Sequence, residues 1–167
     1  MRWGNHKATT ALLVYAGTGD LTLTTVATLG AVVPDAAEFA LCGLSPHRGL
    51  GHWPYPYLVL AGACYWAWLH GGTLLLLYLA FFLVGALIHL LEDALSPGGI
   101  PWGRPLGPRR GLGLYVPFAP SEFFLALGLL VAAAGVIWVS GYAAIPYLAG
   151  EIERFLVVAE YFGRKIL

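Results

Sequence analysis

Apolar residues run in long blocks along this chain, and the polar ones are confined to short punctuation between them. Residues 8–17 and 21–33 are two short apolar segments parted by Gly17-Thr18-Gly19-Asp20, a turn signal. Each falls short of the roughly 20 residues that a membrane span requires. The pattern therefore predicts a short helical hairpin, with one interrupted helix as the alternative. Threonines 9, 10, 22, 24, 25 and 28 are compatible with it, because a hydroxyl can bond back to the preceding turn or across to a neighbouring helix. Residues 34–54 read as a polar connection punctuated by glycine and proline. Tyr55 to Leu69 and Leu74 to Leu91 form a second hairpin across the bilayer, turning at His70-Gly71-Gly72. Six glycines and five prolines make 96–117 a surface loop. Ser121 to Val139 is a clean span, with Pro120 and Glu122 as helix-start residues. The last segment, 142–163, carries Glu151, Glu153, Arg154 and Glu160 and is a poorer span, tilted or interfacial. The expected fold is an all-α integral membrane bundle of about 5–6 helices in a single domain over residues 1–167.

Composition makes the membrane assignment firm. With 59% hydrophobic and 11% charged residues, and a mean hydropathy of +0.74, the chain lacks the polar coat of a water-soluble globule. Net charge is zero, so no nucleic-acid partner is expected. Cys42 and Cys64 stand in no metal-binding spacing and read as small packing residues. The N-terminal segment, despite Arg2 and Lys7, meets no small-x-small cleavage site and is expected to be retained. With the first hairpin formed, 1–7, 34–54, 96–117 and 164–167 share one side and hold every Lys and Arg except Arg154. The positive-inside tendency makes that side cytoplasmic.

The same layout gathers the chemistry. His89-Leu90-Leu91-Glu92-Asp93 ends the most apolar run of the chain, where ionisable groups are costly unless something holds them. Residues four apart share a helix face, so His89 and Asp93 can address one ion; a structural His–Asp hydrogen bond is the plainer reading. His6, Asp35, His47, His52, His89 and Asp93 all reach one membrane face, and His70 alone among the histidines is left out. In His47-Arg48-Gly49-Leu50-Gly51-His52 two glycines let both imidazoles turn to one point, and Arg48 offers a planar fork to a phosphate or a carboxylate. Asp35 and Glu38 also suit a plain capping pattern. Mixed imidazole and carboxylate ligands fit Zn, Mn or Fe, and several carboxylates allow one or two ions. A carboxylate at Asp35, Glu38 or Glu92 then serves as proton acceptor. Arg104, Arg109 and Arg110 are candidates for binding a phosphate group, or else plain topology and lipid-headgroup contacts.

The order of these motifs resembles the membrane-bound metal-dependent hydrolases of the LexA-regulated inner-membrane family. The elements are His6, Pro34-Asp35, His47 to His52, Gly85 to Asp93 and Ser96-Pro97-Gly98-Gly99-Ile100-Pro101, covering roughly residues 1–105. That family is similar in its His and Asp pattern to zinc-dependent phospholipase C and related nucleases. The resemblance implies a hydrolase-like core over 1–116 with additional helices over 117–167. It makes His6, Asp35, His47 or His52, His89 and Asp93 ligands of a divalent metal, zinc foremost. It also implies hydrolysis of a phosphoester, in a lipid or lipid-linked substrate, in the inner membrane. Two departures stand out. Ala37 replaces a second acidic residue, leaving Glu38 or Glu92 as substitutes, and Gly51-His52-Trp53 replaces Thr-His-Ser. The altered carboxylate pattern and the aromatic-rich 55–69 helix support an alternative, a non-catalytic structural or assembly subunit with membrane-protein partners or a homo-oligomer.

Overall fold

The computed structural model describes residues 3–40 and 48–139. Among them the chain is all-α apart from one small ribbon. The helices are α1 (Trp3–Thr18), α2 (Leu21–Gly30), α3 (Val33–Ala40), α4 (Pro54–Leu69), α5 (Leu74–Leu95) and α6 (Pro120–Val139), with a single 3-10 turn at Leu50–His52. The segments 41–47 and 140–167, including His47, Cys42 and the expected last span, lie outside the described residues.

The first hairpin is present and has a local cause. Gly19 takes a left-handed φ of 65°, which closes the turn, and the Asp20 carboxylate accepts a hydrogen bond of 2.9 Å from the Leu23 amide to start α2. Threonine hydroxyls return to the preceding turn, Thr24 to the Asp20 carbonyl at 2.6 Å and Thr28 to that of Thr24 at 2.7 Å, so an apolar setting tolerates them. The polar connection expected over 34–54 is partly helical instead. Val33–Ala40 forms α3 with Asp35 in its first turn, and its Pro34 and Glu38 face inward. The capping pattern at Asp35 and Glu38 is the sequence signal for this short helix.

Helix α5 is the spine, packed by α4 on one side and α2 on another. Contact with α2 is backbone to backbone. A Cβ at Gly30 would lie 1.8 Å from the Phe82 carbonyl oxygen, and one at Gly85 would lie 1.8 Å from that of Ala27. Small residues at such a crossing are the usual means of close helix approach in lipid. Both α5 and α6 are long and apolar enough to cross a membrane, with mean hydropathies of 2.6 and 2.2. Helix α4, at 16 residues, is about 24 Å long and opens with Pro54.

The surface loop after α5 is tied down rather than loose. Ile100–Pro101 pairs antiparallel with Arg109–Arg110, as β1 and β2. The Leu112 and Leu114 amides donate to the carbonyls of Ala94 and Leu95 at 2.8 Å each, satisfying the orphan end of α5. Leu90, Ala94 and Ile100 form a small buried core beneath it, with Tyr57 packed alongside.

Candidate metal centre

Four separate elements deliver the polar cluster: α1 brings His6, α3 brings Asp35, the 3-10 turn brings His52, and α5 brings His89 and Asp93. His6, His52, His89 and Asp93 are each at most 2% exposed, while Asp35 is half-buried. A buried group of this kind is costly without a partner.

All three imidazoles turn Nε2 toward the same carboxylates. His52 Nε2 lies 3.4 Å from Asp35 Oδ1 and 3.4 Å from Asp93 Oδ2. His89 Nε2 lies 3.6 Å from Asp35 Oδ1 and 3.7 Å from Asp93 Oδ2. His6 Nε2 lies 3.8 Å from Asp93 Oδ1. The His89 contacts are too long for hydrogen bonds. They are near the edge of a coordination polyhedron, since donors about 2.1 Å from a tetrahedral ion are about 3.4 Å apart. Neither ring nitrogen of His89 has a hydrogen-bond partner among the described residues. Two overlapping sets, His6-His89-Asp93 and Asp35-His52-His89, have donor atoms all within 4.8 Å of one another. The His6 and His89 rings stack with centroids 3.9 Å apart, which two imidazolium cations would resist. Neutral imidazole is the form that binds a metal, and the residues present fit a divalent ion.

Behind the donors stands a second set of contacts. The Glu92 carboxylate hydrogen-bonds His6 Nδ1, and Glu38 Oε1 lies 3.6 Å from His52 Nδ1 while accepting from the Gly51 amide at 2.7 Å. Each glutamate thus sits across the ring from the cluster. A carboxylate on the far nitrogen fixes tautomer and ring orientation in histidine metal sites. Arg48, with a left-handed φ of 61°, places Nη2 2.8 Å from Asp93 Oδ1 and Nη1 2.8 Å from Ser96 Oγ. Ser96 in turn donates to the Asp93 carbonyl at 2.7 Å, and the Tyr115 hydroxyl donates to the Glu92 carbonyl at 3.1 Å. Sequence reasoning missed Ser96 and Tyr115. Ser96 immediately precedes Pro97-Gly98-Gly99, a helix-stop signal that could have flagged it.

His52 and Asp35, both in the segment joining the two hairpins, have shifted acidities. Burial alone would push His52 down, but Asp35 and Asp93 beside it outweigh that and raise it to about 8. Burial would raise Asp35, yet His52 and His89 hold it below the usual carboxylate range.

The arginines separate. Arg48 and Arg109 line a polar cavity of about 600 Å³ with Pro97, Gly98 and Gly107. Arg104 is exposed in the loop and does not line it, and Arg110 lines a different, apolar groove. His70 is remote from the cluster, its Nδ1 2.8 Å from the Trp66 carbonyl oxygen at the opposite turn.

These features define a helical membrane protein with a buried histidine–carboxylate cluster at the end of one of its long apolar helices. The family model for the YdjM inner membrane protein matches residues 1–159, and the chain belongs to that family. No curated protein and no solved structure matches the chain.

Proposed function

We propose that this inner membrane protein is a metal-dependent hydrolase of phosphoesters, of the LexA-regulated type that its motifs resemble. The convergence of three Nε2 atoms and two aspartates from four elements on one buried centre carries the reading. His6, His52, His89, Asp93 and Asp35 would hold one or two divalent ions, zinc foremost. A bound ion of this kind supplies Lewis-acid polarisation and a hydroxide source near neutral pH. Asp35, the most exposed member of the cluster, is the carboxylate best placed to take a proton from an entering water. Glu38 and Glu92 hold the His52 and His6 rings in register, and Arg48 holds Asp93. The polar cavity bordered by Arg48 and Arg109 suits an anionic phosphate group. Residues 1–116 form the hydrolase-like core, and the cluster faces the cytoplasm on the arginine-rich side.

The test is elemental analysis of the purified full-length protein in detergent, alongside turnover of a phosphodiester in mixed micelles with and without a chelator. Stoichiometric zinc, lost together with turnover in Asp93→Ala and His89→Ala, is the expected result. Metal at trace level in the wild type would overturn the assignment. A second reading, a non-catalytic assembly subunit, draws on Arg48, whose ion pair neutralises Asp93 without any metal ion, and on the exposed Tyr65 and Trp66 of α4. That reading expects no metal and co-purification with a membrane partner.

A further inference from the structure

The last two turns of α5 have two different faces. His89 and Asp93 belong to the cluster, whereas Ile88, Leu91 and Leu95 line a groove of about 550 Å³ on another side of the helix. That volume falls within the range of small-molecule sites. The remaining walls are Leu13 of α1, Leu129 of α6, and Trp102, Gly111 and Leu112 of the loop, nearly all of them apolar.

The groove has a direction. Trp102 and Arg110 occupy its loop end, where Trp102 Nε1 donates to the Arg110 carbonyl at 3.1 Å and both side chains are exposed. Leu13 lies two turns below His6 along α1, about 10 Å, and Leu129 about 13 Å below the start of α6 at Pro120. The channel thus runs from a basic, aromatic rim down into the apolar zone of the bundle. A tryptophan and an arginine over an apolar slot match the depth profile of a membrane lipid, with its headgroup at the interface and its chain below. Glu92 stands at the seam. It lines the groove, and its carboxylate contacts His6 on the cluster side.

We propose that this groove receives one hydrocarbon chain of a phosphate-bearing membrane lipid, with Arg110 meeting the headgroup. The chain would then lie on the same helix turns that present His89 and Asp93. Taking this lipid as the substrate rests on the hydrolase reading above; lipid binding by the groove does not.

The experiment uses the full-length protein in nanodiscs containing a phosphatidic acid with a photoreactive group in one acyl chain, followed by peptide mapping. Metal content is measured on the same samples. Labelling should map to 88–95 and 111–112 and saturate as the probe fraction rises. It should fall about tenfold in Leu91→Trp, which fills the slot from an exposed position, while labelling at the exposed Phe124, outside the groove, stays unchanged. Arg110→Ala should weaken groove labelling about fivefold, and a diacylglycerol carrying the same photoreactive chain should not respond to it. Non-saturating groove labelling equal to that at Phe124, or no label in the groove, would overturn the proposal. Equal labelling by the two probes would overturn its phosphate part. Saturable labelling in a wild type that holds no metal would support the groove and remove the hydrolase reading.

Discussion

Arg48 Nη2 lies 2.8 Å from Asp93 Oδ1, an ion pair formed from a backbone with φ of 61°, in the left-handed region that glycine favours. Holding a non-glycine residue there costs about 1 kcal/mol or more, so the contact offsets real strain. The Asp93 side chain is buried; the arginine holds its Oδ1 on the His6 side and leaves Oδ2 to face His52 and His89. Arg48→Lys keeps the charge and loses the two-armed grip on Asp93 and Ser96. It should lower zinc affinity about 10- to 100-fold, measured by competition with a chromogenic chelator. Arg48→Gly relieves the backbone strain, but it should bind zinc no better than Arg48→Lys.

The crossing of α2 and α5 depends on hydrogen atoms where other residues carry a Cβ. Gly85→Ala puts a methyl 1.8 Å from the Ala27 carbonyl oxygen, a distance that only backbone separation can relieve. The expected outcome is loss of about 3 kcal/mol or more of stability, read as a fall in the thermal midpoint and in the yield of monodisperse protein. A Cβ at Gly128 on α6 would meet nothing within 4 Å among the described residues, so Gly128→Ala should leave the midpoint unchanged or raise it.

The helices were legible in the sequence because lipid leaves little freedom: apolar runs bounded by Gly, Pro and Asp must satisfy their backbone internally. Thus α4, α5, α6 and the first hairpin stand close to where the pattern puts them, and α5 extends to Leu95. Helix α3 was legible only as a capping pattern at Asp35 and Glu38 inside a stretch otherwise read as a polar connection, and local pattern could not show that Pro34 and Glu38 turn inward. Local spacing also pairs His89 with Asp93. It carries no information on contacts between distant elements, such as Glu92 with His6 or Glu38 with His52. Both glutamates read as candidate proton acceptors in sequence, whereas in the fold each stands on the Nδ1 side of a histidine.

Stability and metal uptake should respond to pH in opposite directions. In the metal-free protein, His52 is raised from 6.5 to about 8, so its charged form is favoured by folding. That contribution, ~2 kcal/mol, is fully present below pH 6.5 and is lost as pH rises through 8. Zinc requires the neutral ring, so its affinity should climb over the same interval as the proton leaves. Thermal midpoints of chelated and zinc-loaded protein should therefore diverge between pH 6 and 9, with the chelated sample falling. His52→Gln should flatten the chelated curve.

Glu38 separates orientation from proton transfer. Its Oε1 accepts the Gly51 amide at 2.7 Å and stands 3.6 Å from His52 Nδ1, so the residue holds the 3-10 turn directly and stands beside the ring on its Nδ1 side. Glu38→Ala strands a buried amide and should cost about 1–3 kcal/mol, together with about tenfold in zinc affinity. Glu38→Gln keeps an acceptor for Gly51 and should recover most of the stability. If the carboxylate only orients His52, Glu38→Gln should also hold near-normal zinc and keep the pH profile of turnover, since no proton passes through it. A Glu38→Gln protein that folds, binds zinc fully and has lost turnover by a hundredfold or more would instead make Glu38 the proton acceptor and displace Asp35 from that role.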